Sequence, residues 1–240
     1  MKLLLTLNPS EDLIEQARLA KSIGFDGIEV VVEDKALENM LNEGFRNKFY
    51  EFIKENNLIT YFHLPNWLDI REERDRKEIS KIVKEITKSF SNSYFVLHMM
   101  FDSVYEIENF EKSIKDIDVS KILFENLFQD LNFLEKVFKL PINFIIDIQH
   151  LTISNPLDKS LNFLARHKDK ILHFHLSDTD GINHAHFPLG KGSLPLKKII
   201  CFLKNNFDDR TISFEVFNTE IPEIDFEISL LLFKKIYGEC

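Results

Sequence analysis

Residues 171–178 read ILHFHLSD and residues 144–150 read FIIDIQH. Both are short, nearly continuous apolar runs, as expected of a strand buried on its two faces, and each carries a metal-ligand type of residue toward its end, His175 and Asp147. Four more runs repeat the design: YFHLP (61–65) with His63, YFVLHMM (94–100) with His98, ILFEN (122–126) with Glu125, and TISFEVF (211–217) with Glu215. An imidazole or carboxylate at the end of a buried strand carries a desolvation cost that something must offset. A shared cation would offset it.

Outward from these runs, strand-like segments fall near 2–7, 27–32, 58–63, 94–99, 121–125, 142–147, 171–176 and 211–216, and every gap has room for a helix. Segments 11–23 and 74–90 carry apolar residues at helical spacing, Gly24 and Gly27 punctuate the return to the second strand, and Pro156, Pro195 and Pro222 stand where helices open. Strict alternation of eight strands with eight helices leaves a closed barrel or an open doubly wound sheet. Polar strand ends that must converge favour closure, because barrel sites are built where strand C-termini meet. The expectation is an α/β protein, a single-domain (β/α)8 TIM barrel over residues 1–240. Its longest insertions are expected at 64–73, which holds Trp67, and at 177–193.

Composition limits what such a site can serve. The 240 residues are 44% hydrophobic, enough for one large core, and the formal charge is −9 with no basic block. Nothing advertises an electrostatic footprint for nucleic acid. Cys201, inside a helical pattern, and Cys240, at the last position, are too few and too poorly placed for a disulfide framework, so a reducing cytoplasm is expected. MKLLLTL is too short for a signal-peptide core and reads as the first strand. No apolar stretch approaches the roughly 20 residues that span a bilayer. A soluble protein without membrane contact is expected, and the pattern carries no signal for oligomeric state.

Glu125, Asp147 and Glu215 at one mouth would repel strongly. Each pair at about 4 Å costs roughly 4 kcal/mol at an effective dielectric near 20. A divalent ion held by these three carboxylates and His175 removes that repulsion, and mixed oxygen and nitrogen donors suit Zn²⁺, Mn²⁺ or Co²⁺ better than Ca²⁺. Alone, each such residue reads as a cap or a surface side chain. The histidines form a second layer. His63 and His98 can join Glu125 around another ion, His150 follows Asp147 by three residues, and His184 and His186 form an H-x-H in the loop after the seventh strand.

In combination and order, HFHLSD (173–178), HAHFPLGKG (184–192), GFDGIEV (24–30), FEN (124–126), IIDIQH (145–150) and FEVF (214–217) resemble the xylose isomerase-like TIM barrel superfamily over essentially the whole chain. That superfamily includes sugar and sugar-phosphate isomerases and epimerases, and endonuclease IV of the AP endonuclease family 2. In the isomerase branch, the resemblance implies one divalent metal (Zn²⁺ or Mn²⁺, with Co²⁺ or Mg²⁺ as substitutes) on Glu125, Asp147, His175 and Glu215. Glu125 and Glu215 would then also transfer protons at substrate carbon. In the endonuclease branch it implies up to three zinc ions, with His63, His98 and Glu125 around one. Glu125, Asp147, His175 and Glu215 would hold another, and His150 with the loop pair a third. There the chain departs from the pattern, because His184 replaces the aspartate of a D-x-H.

Acidity and the lack of a basic insertion favour the first branch. The leading expectation is therefore a metal-dependent isomerase or epimerase of a sugar or sugar phosphate. The alternative is a multinuclear zinc phosphodiesterase acting on abasic DNA, and a non-enzymatic, metal-stabilised barrel ranks below both. Trp67, Phe187 and Phe217 are candidates to wall the pocket, Lys191 to pair with a substrate phosphate or carboxylate, and Asp178 to orient a metal ligand from behind.

Overall fold

The computed structural model describes residues 1–240. Eight parallel strands close into a barrel in sequence order: β1 (Lys2–Leu7), β2 (Gly27–Val31), β3 (Ile59–His63), β4 (Phe95–His98), β5 (Ile122–Glu125), β6 (Asn143–Asp147), β7 (Ile171–Leu176) and β8 (Thr211–Phe214), with β8 pairing back to β1. All eight lie within about two residues of the sequence expectation. The fold is a single-domain (β/α)8 TIM barrel.

The helices depart from one per gap, since there are ten. The β2–β3 connection holds α2 (Asp34–Leu41) and α3 (Glu43–Glu55), divided at Asn42, whose side chain accepts from Phe45 N and so starts a new helix. After β6 come α7 (Ile148–Ser154) and α8 (Leu157–Arg166), divided at Asn155 and Pro156. The others are α1 (Leu13–Ile23), α4 (Glu73–Thr87), α5 (Ile107–Ser113), α6 (Leu131–Val137), α9 (Leu196–Phe207) and α10 (Pro222–Glu239). Pro195 and Pro222 open α9 and α10 as expected. At Gly27, a Cβ would come within 2.3 Å of Ile59 O, so β2 and β3 approach this closely only with glycine there.

Two cores result from the barrel's two faces. A large cluster fills the layer between strands and helices, while a separate group, Leu4, Tyr61, Val96, Leu123 and Ile145, packs inside the barrel. Side chains alternate along a strand, so the residues two places further on share that interior. Those residues are Thr6, His63, His98, Glu125 and Asp147. The ligand-type side chains are therefore the polar layer above an apolar floor.

The cysteines are a correction to the sequence reading. Cys240, at the end of α10, is disulfide-bonded to Cys201 in α9, with Cα atoms 5.3 Å apart. They looked badly placed because 39 residues separate them. Packing of α10 on α9 brings them together, and the pair gives no support to a reducing compartment. No helix is long and apolar enough to cross a membrane.

Candidate metal centre

The β-register sets the polar layer in place. His98 pairs with Glu125, and Asp147 with His175, on neighbouring strands. Ligand atoms of Glu125, Asp147, His175 and Glu215 all lie within 4.8 Å of one another, as do those of His63, His98 and Glu125 and those of His150, His184 and His186. The structure thus gathers all nine residues into three cation-sized nests, two of which share Glu125.

Glu125 is fully buried, with both oxygens committed. Oε2 lies 3.1 Å from His63 Nε2 and 3.4 Å from His98 Nε2, and Oε1 lies 3.3 Å from His175 Nδ1. His63 donates Nδ1–H to Leu64 O at 2.8 Å, so in neutral His63 the Nε2 lone pair faces a carboxylate oxygen. Two lone pairs this close, away from water, require a proton or a metal ion between them. Without an ion the proton prevails. Burial lowers the His63 pKa, but the hydrogen bond and charge of Glu125 outweigh it and raise it to about 9.

Asp147 shows the same demand. Oδ1 caps α7 by accepting from His150 N at 2.6 Å, while the buried Oδ2 has no hydrogen-bond partner. Burial raises its carboxyl, and despite the opposing charge of His150, Glu215 and Glu125 help hold it at about 6. Glu215 Oε2 is likewise buried without a hydrogen bond, 3.3 Å from His175 Nδ1. For Glu215, burial is outweighed by the charge of His175, which lowers the carboxyl to about 2. Orphaned carboxylate oxygens facing an imidazole nitrogen are the donor set a divalent ion fits. Glu125, Asp147, His175 and Glu215 would hold one ion, and His63, His98 and Glu125 another.

The third nest is made differently. His150 Nδ1 donates to Asn126 O at 3.0 Å, which turns Nε2 toward His184 Nε2, 2.7 Å away. Burial first, then the charges of His186 and His150, lower His184 to about 4, so it is a neutral imidazole at pH 7, the form that binds metal. Buried Gln149 carries the loop. Its Oε1 accepts from Ala185 N at 2.6 Å and its amide donates to Ser177 Oγ at 2.6 Å. His186 sits at φ 45°, a costly left-handed conformation for a non-glycine, and its Nδ1 donates to Glu215 O at 3.0 Å.

Behind the centre lies a feature the sequence reading left out. Glu29 on β2 is completely buried, with Oε1 2.8 Å from His175 Nε2 in an ion-pair contact. Its Oε2 accepts from Ser213 Oγ at 2.8 Å and lies 3.1 Å from His173 Nε2. Burial alone would raise the Glu29 carboxyl, but the charge of His175 and the hydrogen bonds of His173 and His175 hold it below the usual range. A carboxylate beside Nε2 favours the proton there and leaves Nδ1 to face the nest. Two signals were available: Glu29 lies within GFDGIEV, and ILHFHLSD places His173 and His175 on one face at period two. Asn126 was also missed. Its side-chain amide brackets the Asp147 backbone, accepting from N at 2.9 Å and donating to O at 3.2 Å.

Three expected roles need correction. Asp178 contacts no ligand side chain directly: Oδ1 accepts from Thr179 N and Leu194 N and Oδ2 from Gly190 N, pinning the loop after β7 that carries His184 and His186. A Cβ on Gly192 would fall 2.3 Å from Asp178 Oδ1, so the glycine makes room for that clasp. Lys191 does pair with a carboxylate, but it is the chain's own Asp225, at 2.7 Å. Trp67 borders an outer groove with Leu37 and the first turns of α4, a groove that none of the nine nest residues lines. Phe217 packs on His186, with ring centroids 5.4 Å apart, whereas Phe187 pairs its backbone with Asp178.

The family model described as xylose isomerase-like TIM barrel, of the AP endonuclease 2 family, matches residues 17–236. The chain belongs to this family. Among solved structures, this xylose isomerase-like barrel is similar to a D-tagatose 3-epimerase-like protein, with TM-score 0.80 and 19% identity over 100% of this chain and 99% of that one. It is also similar to a Thermus thermophilus protein from a ZnCl2 soak (0.73, 21%, covering 100% and 99%) and to an L-ribulose 3-epimerase (0.68, 15%, covering 99% and 92%). At such identities the likeness shows the fold. No curated protein matches the sequence.

Proposed function

We propose that this barrel is a multinuclear, divalent-metal-dependent phosphoester hydrolase, with zinc the metal its donor set suits best. One observation carries the choice over the isomerase expected above. Glu125 is walled in by His63, His98 and His175, with no accessible surface. A carboxylate that removes a carbon-bound proton must present an oxygen to the substrate. Glu125 instead sits where two nests meet, the position of a bridging ligand. The His63–His98–Glu125 and His150–His184–His186 nests, leaving aside the Glu29, His173 and His175 group behind the centre, would also be surplus to a one-metal isomerase.

Bound ions would supply neutralisation of phosphate charge and activation of water near pH 7. The chain supplies the rest. Nine side chains fix the charge balance, Glu29 and Asn126 hold His175, Asp147 and His150 in place, and Gln149 sets the loop that delivers His184 and His186. In the reaction, water adds its oxygen to phosphorus, one P–O ester bond breaks, and the alcohol leaves with a proton.

The isomerase or epimerase reading stays in second place on a specific observation. Glu215 keeps 7% of its surface exposed, so it can face a substrate carbon in a way the fully enclosed Glu125 cannot. Metal counting together with two assays separates the readings. Two or three ions per chain, hydrolysis of phosphodiesters and no solvent-deuterium exchange into a sugar panel are expected. A single ion with sugar exchange and no hydrolysis would reverse the order.

A further inference from the structure

Apart from Ile224, Ile228 and Leu231 on α10, every exposed large apolar side chain lies in a segment that follows a strand, at the metal-ligand end of the barrel. Two of them touch the loop nest directly. Phe128, 48% exposed after β5, has its ring 4.7 Å from His150 and 5.5 Å from His184. Phe217, 44% exposed after β8, lies 5.4 Å from His186. Met100, Tyr105, Ile182 and Ile221 stand exposed in neighbouring segments of the same rim. Leaving this much apolar surface in water around a polar centre is unfavourable unless a ligand covers it.

The charge of the same rim says which ligand. The strand-following segments 8–12, 32–33, 64–72, 99–106, 126–130, 177–195 and 215–221 contain only two cations, Arg71 and Lys191, and carboxylates far outnumber them. Neither cation is free. Arg71 is held by Asp69 and Glu106, and Lys191 by Asp225. A polynucleotide needs several lysine or arginine contacts along its backbone, and these segments offer none. A single phosphoester needs none beyond the centre itself.

We infer that the substrate is a small phosphoester bearing a flat, uncharged ring system, which stacks on Phe128 and Phe217 while the phosphoryl group faces the nests. This rests on the hydrolase reading for the phosphoryl group but not for the ring platform. Flat rings stack on aromatic faces at a gain that corresponds to about ten-fold in affinity for one contact. Phe128 borders the three-imidazole nest at His150 and His184 and Phe217 borders it at His186, where such a ring would be met.

The test uses zinc-loaded protein with two pairs of probes. Phenylphosphonate is expected to bind about ten-fold tighter than methylphosphonate by calorimetry, and methyl phenyl phosphate to show a correspondingly lower KM than dimethyl phosphate. Phe128→Ala and Phe217→Ala should each erase most of the phenyl preference, weakening the phenyl probes about ten-fold more than the methyl probes. Equal binding of the two phosphonates, an equal loss for both in the variants, or a lower KM for abasic duplex DNA with steep salt dependence would overturn the inference. A phenyl preference without turnover of either ester would sink the hydrolase reading and uphold the ring platform. Turnover without the preference would sink the platform alone.

Discussion

The two kinds of nest at the barrel mouth are built from different parts of the chain. His63, His98, Glu125, Asp147 and His175 stand on or at the ends of strands, with Glu215 one residue past β8, and all but His98 are buried; the set is anionic and has a shared carboxylate. His150, His184 and His186 come from the first turn of α7 and from the long loop after β7, and they are three imidazoles with no carboxylate among them. The first kind is built on the strand framework and strongly in need of a cation. The second has no carboxylate of its own, is partly exposed, and is held by Gln149 and Asn126. The sharper the charge demand, the more metal binding and fold stability become one quantity.

Glu125→Gln should break the comparison most severely. It removes the carboxylate common to both strand-borne nests, so both ions and at least ~1000-fold of any hydrolytic rate should go, the scale of losing a main electrostatic element. The loop nest should retain its ion. Metal analysis that still found both strand-borne ions would show that Glu125 is not the shared element.

Glu29→Gln comes next. It leaves every ligand in place and weakens the hold on His175, so affinity at the Asp147 centre should fall about 10- to 100-fold in chelator competition, with the loop nest untouched. An equal fall at both would mean a general loss of folding.

Asp147→Asn should split stability from binding. The carboxyl is raised in the fold, to about 6, so the native state holds a proton that the unfolded chain has released. Its contribution to the metal-free fold is therefore full below pH ~4 and lost as pH rises through about 6. At pH 7.5, chelated Asp147→Asn protein should melt on the order of 5 °C higher than chelated wild type, yet gain less on adding zinc. Near pH 4 the difference should vanish. A lower melting temperature for the chelated variant at pH 7.5 would contradict the charge demand proposed for the strand-borne set.

His184 carries the smallest effect. His184→Ala should cost the loop ion and about ten-fold in rate, whereas His184→Asp should tighten that nest by restoring a negative charge. Loss of the strand-borne ions in either variant would show that the nests are not separable.

Much of this was legible because a buried strand leaves a plain trace. An apolar run interrupted at its end by His63, Glu125 or Asp147 is readable without any neighbour, and eight strand-like runs, six of them ending this way, leave few architectures. The extra helices were hidden because Asn42 and Asn155 break helical runs locally, through side-chain hydrogen bonds that periodicity does not register. Asp178 and Lys191 looked like site residues because a charged side chain in a loop after a strand announces chemistry. Their partners, the Gly190 amide and Asp225, lie 12 and 34 residues along the chain and meet them only when the loop folds back.

The sequence by itself determined the barrel, its strands and the layer of ligand-type residues, since alternation along a strand is a local property that fixes which side chains enter the interior. Only the tertiary structure decided what that layer is. Barrel closure brings Glu29 of β2 across to His175 of β7 and surrounds Glu125 with imidazoles from three other strands. Whether a carboxylate faces a substrate or bridges two cation sites depends on what stands on the far side of it, and that neighbour is set by closure in space.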